Sequence, residues 1–276
     1  MSESSSAVDR RASRRRFERA ARSYLRASRL EEEVGARMLE RLNYVKLAPR
    51  RIVDAGAGPA REARALAGRY RGAQIVAVDF SLAMLRAGRG RWLGRNPSQA
   101  LCAELERLPL ADGAAELVWS NMALHWSPRP LEALREFARV LAPEGLLMFS
   151  MLGPDSLREL RAAAGAERVH EFHDMHDVGD MLVAAGFSAP VMDMEMLTFT
   201  YSSGAALLAD LRSSGQTSAR ADRRRGLAGR EFLKRLQAKL EPRATFEIVY
   251  GHAWKGAPRA AREETVKTIG IFRRVS

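Results

Sequence analysis

One cysteine, Cys102, occurs in the 276 residues. Its solitude excludes an intrachain disulfide and a cysteine metal cluster, and it suits a reducing cytoplasm. No apolar run approaches the ~20 residues of a membrane span. The arginine-rich N-terminus also lacks the apolar stretch of a secretory signal. Asp9, Glu18 and an amphipathic pattern that runs onward favour a structural helix over an organelle transit peptide there. Acidic residues are outnumbered, 33 against 45 lysines and arginines, for a net charge of +12. That excess fits arginine-solvated helices or an acidic protein partner. The basic residues cluster at 10–29 and 220–235, and neither cluster has a nucleic-acid fold signature, so no nucleic acid is expected.

What is present is an alternation of strands and helices. Residues 13–42 form one helical apolar stripe through Phe17, Tyr24, Val34 and Met38. Strands are expected at 50–56, 73–80, 99–103, 115–122 and 144–152. Helices are expected at 61–70, 81–89, with Ser81 as N-cap, and 129–141, with Pro130 in its first turn. The pattern implies an α/β, Rossmann-like, doubly wound and mostly parallel sheet. Further on, helices are expected at 155–164, 176–185, 203–213 and 228–240. Strands at 189–201 and 244–254 frame a helical cap at about 202–241. The second alternates Phe246, Ile248 and Tyr250 with Glu247, Val249 and Gly251, as an exposed or edge hairpin partner does. The organisation is then an N-terminal helical region, 1–43, a main domain, 44–256, and a loose basic tail, 257–276.

The stretch "IVDAGAGPARE", 52–62, is a strand end, a glycine turn and a helix start, which is how an open α/β sheet receives a nucleotide cofactor. A dinucleotide turn wants a third small residue where Arg61 stands. Asp54, two residues before Gly56, would repel a pyrophosphate and attract the ammonium of a methionine moiety, directly or through water. The loop therefore favours a cofactor with a cationic end and no phosphate. Asp79, 21 residues after Gly58, ends the second strand and can bond a ribose diol. Phe80 follows it. Glu104 can accept from an adenine amino group, with Leu105 against the ring.

These residues resemble the class I S-adenosylmethionine-dependent methyltransferases over about 48–152, with Ala60 in place of the usual last glycine. That fold implies one antiparallel strand in the sheet and S-adenosyl-L-methionine as cofactor. Asn121, after the fourth strand, is placed to bond it. The turn "WSNMALHW", 119–126, lacks the D/N-P-P-Y/F of amino-group methyltransferases, and His125 and Trp126 are candidates to line an acceptor pocket.

A closer resemblance spans about 17–255. "FERAARSYLRASRLEEEVGARMLERL", "WSNMALHWSPRPLEALREFARVLAPEGLLMFSMLGPDSLRELR", "HDMHDVGDMLVAAGFSAPVMDME" and "LLADLRSSGQ" are similar to the malonyl-[acyl-carrier protein] O-methyltransferases of biotin synthesis. That family often has Gln where Glu31 stands. The resemblance implies methyl esterification of the free carboxyl of malonyl-acyl carrier protein. Arg212 is then a candidate for the malonyl carboxylate, since a guanidinium fork matches it. Tyr24 is a candidate to close over the cofactor. The acidic carrier protein is the expected partner of the basic clusters. His170, His173 and His176 are spaced loosely for zinc, and carboxyl methylation needs no metal, so none is expected. His176 and Asp177 read instead as a helix cap. The alternatives are a related protein with another acceptor (a small acid, a quinone or a protein side chain) and a non-catalytic assembly factor.

Overall fold

The computed structural model describes residues 8–89, 98–223, 226 and 229–256. The expected loose basic tail, 257–276, lies outside them. Seven strands form one sheet in the order β3-β2-β1-β4-β5-β7-β6. They are β1 (Arg51–Ala55), β2 (Gln74–Asp79), β3 (Ser98–Cys102), β4 (Ala115–Ser120), β5 (Leu141–Leu152), β6 (Phe187–Thr200) and β7 (Arg243–Lys255). The first five are parallel, and β7 runs antiparallel to both its neighbours.

Alternate side chains feed two cores. Ile52, Leu117 and Trp119 face one side with Val34 and Met38 of helix α3 (Arg29–Arg41) and Leu66 of α4 (Arg61–Arg69). Val53 and Val118 face the other with Leu134 and Phe137 of α6 (Pro130–Val140). Burying each such side chain contributes about 1.5–3 kcal/mol, so a strand covered on both faces has to be apolar throughout. Helix α5 (Leu82–Arg89) follows β2, and the Oγ of Ser81 accepts from the Met84 N–H at 3.3 Å, the cap expected from sequence. Helices α7 (Arg158–Ala164) and α8 (Met175–Ala184) precede β6. Helices α9 (Gly204–Ser213) and α10 (Gly229–Lys239) lie between β6 and β7 within the expected cap.

Four expectations need correction. The stripe over 13–42 is three helices, α1 (Arg10–Ala20), α2 (Tyr24–Ala27) and α3. The second break, at Ser28, is stabilised from outside: Arg61 donates to the carbonyls of Leu25 and Ser28 and to Ser28 Oγ at 3.1–3.3 Å. Strand β5 starts at Leu141, three residues early. Strand β7 is neither exposed nor at an edge; it is enclosed by β5 and β6, and only Arg243 of its first nine residues is exposed. Glu247 is tolerated there because its carboxylate accepts from the Asp155 N–H at 2.7 Å. The cap of α8 is Asp174, which accepts from the His176 N–H at 2.8 Å, and not His176–Asp177.

Candidate active site

The glycine turn opens where β1 ends. Gly56 has φ +79°, and a Cβ there would stand 2.1 Å from that of Ala123. No side chain fits. Gly58, at φ +52°, donates its N–H to Asp79 Oδ2 at 2.9 Å, and the other oxygen of Asp79 accepts from Ser81 N–H at 2.7 Å. One carboxylate thus joins the turn after β1 to the helix start after β2. Ala60 adopts φ +54°. A left-handed conformation costs a non-glycine residue roughly 1–2 kcal/mol, which is the physical reason for the usual glycine there.

Above this turn lies a partly open cavity. Gly56, Gly58, Asp79 and Phe80 line it from the sheet, and Glu104, Leu105 and Asn121 from the loops after β3 and β4. Phe17 of α1 and Tyr24 of α2 cover it. Asp54 lies behind the turn and does not line the cavity. Some features were not legible in sequence. Glu104 is engaged by α1, paired with Arg14 at 2.5 Å and Arg10 at 3.8 Å. Asn121 is also engaged: its oxygen accepts from Ser150 Oγ at 2.8 Å, and its amide donates to Glu31 O at 2.8 Å and Glu62 Oε1 at 3.2 Å. Neither Glu31 nor Glu62 was singled out as a site residue.

The electrostatics of the site favour a cation. Asp54 is 1% exposed, and its Oδ2 has no hydrogen-bond partner among the described residues. Burial, with Glu62 and Asp79 nearby, holds its carboxyl well above the usual range. Burial also raises Glu62, pushes Asp79 up to about 6 and pushes Glu31 up to about 7. Glu31 accepts from Gln216 Nε2 at 2.6 Å and from the Tyr24 hydroxyl at 3.4 Å. Tyr24 is itself raised, by burial and then by Glu31 and Glu62. Four acids converge here, so a sulfonium or ammonium group fits and a phosphate does not.

A second, partly open cavity lies beneath the cap. Leu152, Phe172, Leu208 and Leu211 give it an apolar wall; Arg212 and Gln216 stand at the end of α9. Arg212 is exposed and makes no ion pair among the described residues. His125, expected on the acceptor wall, lines neither cavity. It is buried behind Trp126, ring centroids 5.3 Å apart, and its Nδ1 accepts weakly from the Leu152 N–H at 3.4 Å. Burial pushes its pKa down to about 3, so it is a neutral packing group. Of the three spaced histidines, His170 accepts from the Ala219 N–H at 2.7 Å. Among the described residues no cluster of His, Cys, Asp or Glu could hold a metal ion, and no helix is long and apolar enough to cross a membrane.

A cation-seeking chamber at the carboxyl ends of a parallel sheet, closed by a reversed seventh strand, is the architecture of class I S-adenosylmethionine-dependent methyltransferases, and this chain is one of them. Residues 53–149 match the family model described as a methyltransferase domain. A malonyl-[acyl-carrier protein] O-methyltransferase of Methylovorus sp. is 44% identical, over 98% of this chain and 97% of its own. That of Gallionella capsiferriformans is 45% identical, over 93% and 94%. The chain belongs to the malonyl-[acyl-carrier protein] O-methyltransferase family. Among solved structures, the YcgJ protein of Bacillus subtilis is similar in fold, with a TM-score of 0.59 at 18% identity over 79% of this chain and 97% of that one. So is the [4+2]-cyclase SpnF, with a TM-score of 0.53 at 21% identity over 83% and 80%. A cyclase on this fold is a reminder that the fold alone does not set the reaction.

The raised carboxyl groups give a pH dependence. A proton on Asp79 or Glu31 removes the negative charge that a cation needs. S-Adenosylmethionine affinity is therefore expected to rise several-fold from pH 5.5 to pH 8, with protons released on binding. In the free protein the sign is opposite. A carboxyl whose folded pKa lies above its unfolded value stabilises below the unfolded pKa and loses that contribution as pH rises through the folded one. Calorimetry in two buffers of different ionisation enthalpy measures the release; zero release across this window would contradict the assignment.

Proposed function

We propose that the protein methylates the free carboxyl of malonyl-acyl carrier protein in the cytoplasm, at the start of biotin synthesis. The observation that carries this reading is the pairing of an acid-rich cofactor chamber with an apolar cavity that bears Arg212 at its wall. The names of the relatives supply the malonyl acceptor. When bound, S-adenosylmethionine supplies a methyl group whose C–S bond breaks as the carboxylate O–C bond forms, leaving a neutral thioether and moving no proton.

A carboxylate is already ionised at neutral pH, so no general base is needed. The neutral, buried His125 fits a reaction that asks nothing of it. What the protein supplies is position, which can contribute about 7–11 kcal/mol of a barrier. Asp79 holds the ribose diol, Glu104 and Leu105 take the adenine, and Phe80 flanks it. Gly56 and Gly58 let the cofactor approach the backbone. Asn121 faces its amino-acid end, the charge of Asp54 acts on that end from behind the turn, and Tyr24 closes over it. Arg212 holds the malonyl carboxylate. Arg11, Arg15 and Arg19 are exposed along α1 and give an acidic carrier protein a surface to dock on.

Labelled S-adenosylmethionine tests the acceptor, with malonyl-acyl carrier protein, malonyl-coenzyme A and acetyl-acyl carrier protein side by side. One added methyl on the malonyl carrier and none on the acetyl carrier is expected. Cofactor binding without transfer to any malonyl thioester would overturn the reading in favour of another acceptor or an assembly factor. Arg212→Ala is expected to raise KM for the malonyl carrier about 10–100-fold, the worth of a lost charge-assisted hydrogen bond. Cofactor affinity should stay within about twofold, since Arg212 lies outside that chamber, and Arg212→Lys should recover part of the loss. Initial rates at saturating cofactor separate the two.

A further inference from the structure

The two cavities share one lining residue among those described, Trp126. It comes from the 3-10 turn Leu124–Trp126 after β4. Its indole is gripped from several elements. Phe17 of α1 meets it edge-on, with centroids 5.1 Å apart and planes at 87°. His170 meets it at 4.9 Å and 89°, and His125 tilts against it at 5.3 Å. Phe172 backs both imidazoles, at 5.6 Å from His125 and 6.0 Å from His170. The two imidazoles are neutral at pH 7, because burial pushes them down to about 3 and about 4. The grip is therefore apolar packing, and a close-packed aromatic cluster does not yield to a ligand without cost.

A partition held this way limits the acceptor. The carboxylate has to come within about 3–3.5 Å of the methyl carbon, so it has to pass or meet the indole. We propose that Trp126 is the specificity wall between the cofactor chamber and the acceptor cavity, and that it sets the length of the dicarboxylic acyl group that can react. A three-carbon malonyl group reaches the junction with its thioester still in the cavity. Each further methylene has to fold up against the ring or displace it. Discrimination of this kind is worth about 10–200-fold per methylene in a close-fitting apolar site. The proposal rests on the malonyl reading above.

The test compares malonyl-, succinyl- and glutaryl-acyl carrier protein on the wild-type protein, Trp126→Phe and Trp126→Ala. Two quantities are read: kcat/KM, and the Kd of each carrier for the complex with S-adenosylhomocysteine, which needs no turnover. Trp126→Ala is expected to narrow the malonyl-to-glutaryl ratio at least tenfold in both, and Trp126→Phe by less. If Trp126→Ala does not fold, Trp126→Phe and Trp126→Leu carry the comparison. Losses of equal size for all three carriers, with the ratios unmoved, would make Trp126 a packing residue and overturn the proposal. Wild-type protein that ignores every malonyl thioester defeats the functional reading instead, and does so before any variant is compared.

Discussion

Asp79→Asn is expected to weaken S-adenosylmethionine binding about 100-fold or more. The carboxylate of Asp79 already carries two backbone bonds, from Gly58 at 2.9 Å and Ser81 at 2.7 Å. Each oxygen keeps a further lone pair, and the residue lines the chamber. An asparagine has one accepting oxygen and one donating nitrogen, so either Gly58 or Ser81 would face a donor. The diol would also lose a charged acceptor. Two charge-assisted hydrogen bonds at about 1.5 kcal/mol each make about 3 kcal/mol, or roughly 150-fold. Loss of fold does not explain such a result in advance: ionised Asp79 is costly in the free protein, since burial pushes its carboxyl up to about 6. The variant gains back some of what it loses in bonds, and its unfolding temperature should change little. Calorimetric titration decides the matter. A Kd within threefold of wild type would remove Asp79 from the cofactor site.

Asp79 and the glycines were legible in the sequence because their chemistry is local. A positive-φ turn needs glycine, and an acid at a strand end needs only the strand to be recognised. The alternation of strands and helices carried the parallel sheet for the same reason. The misses share a different cause: partners distant in sequence. The helix break at Ser28 depends on Arg61, more than thirty residues on in the chain, whose guanidinium takes carbonyls that a continuous helix would have used itself. In "FEIVYG" the alternation of β7 suggested an open face; two flanking strands and the Asp155 amide closed it. His125 was a fair candidate as an isolated imidazole beside an aromatic, but its burial depends on Phe172 and Leu152. Glu31 and Glu62 lie on separate helices, and only the fold brings both to Asn121. Glu31 had a trace in sequence, as a charged residue where the family often keeps an amide.

Asp54→Asn is expected to move two measurements in opposite directions. Asp54 is 1% exposed and in the field of Glu62 and Asp79. One oxygen has no partner among the described residues, while the Ala63 N–H bonds the carboxylate. An uncompensated buried acid costs free energy in the unliganded protein. Asparagine is nearly isosteric, its oxygen can keep the Ala63 bond, and it carries no charge. The free protein should therefore be more stable by about 1–2 kcal/mol, a rise of roughly 2–8 °C in Tm. The same change removes a negative charge from the neighbourhood of a cationic ligand, in a low-dielectric setting where such charges act strongly. Cofactor affinity should fall about 10–100-fold, and the Tm gain on adding cofactor should shrink with it. A residue kept for packing would behave otherwise, since its replacement would lower the unliganded Tm and leave the ligand-induced gain intact. Thermal unfolding with and without S-adenosylmethionine separates the cases in one experiment. Opposite signs would mean that the buried acid is retained against the stability of the fold, as a charge held ready for a cation.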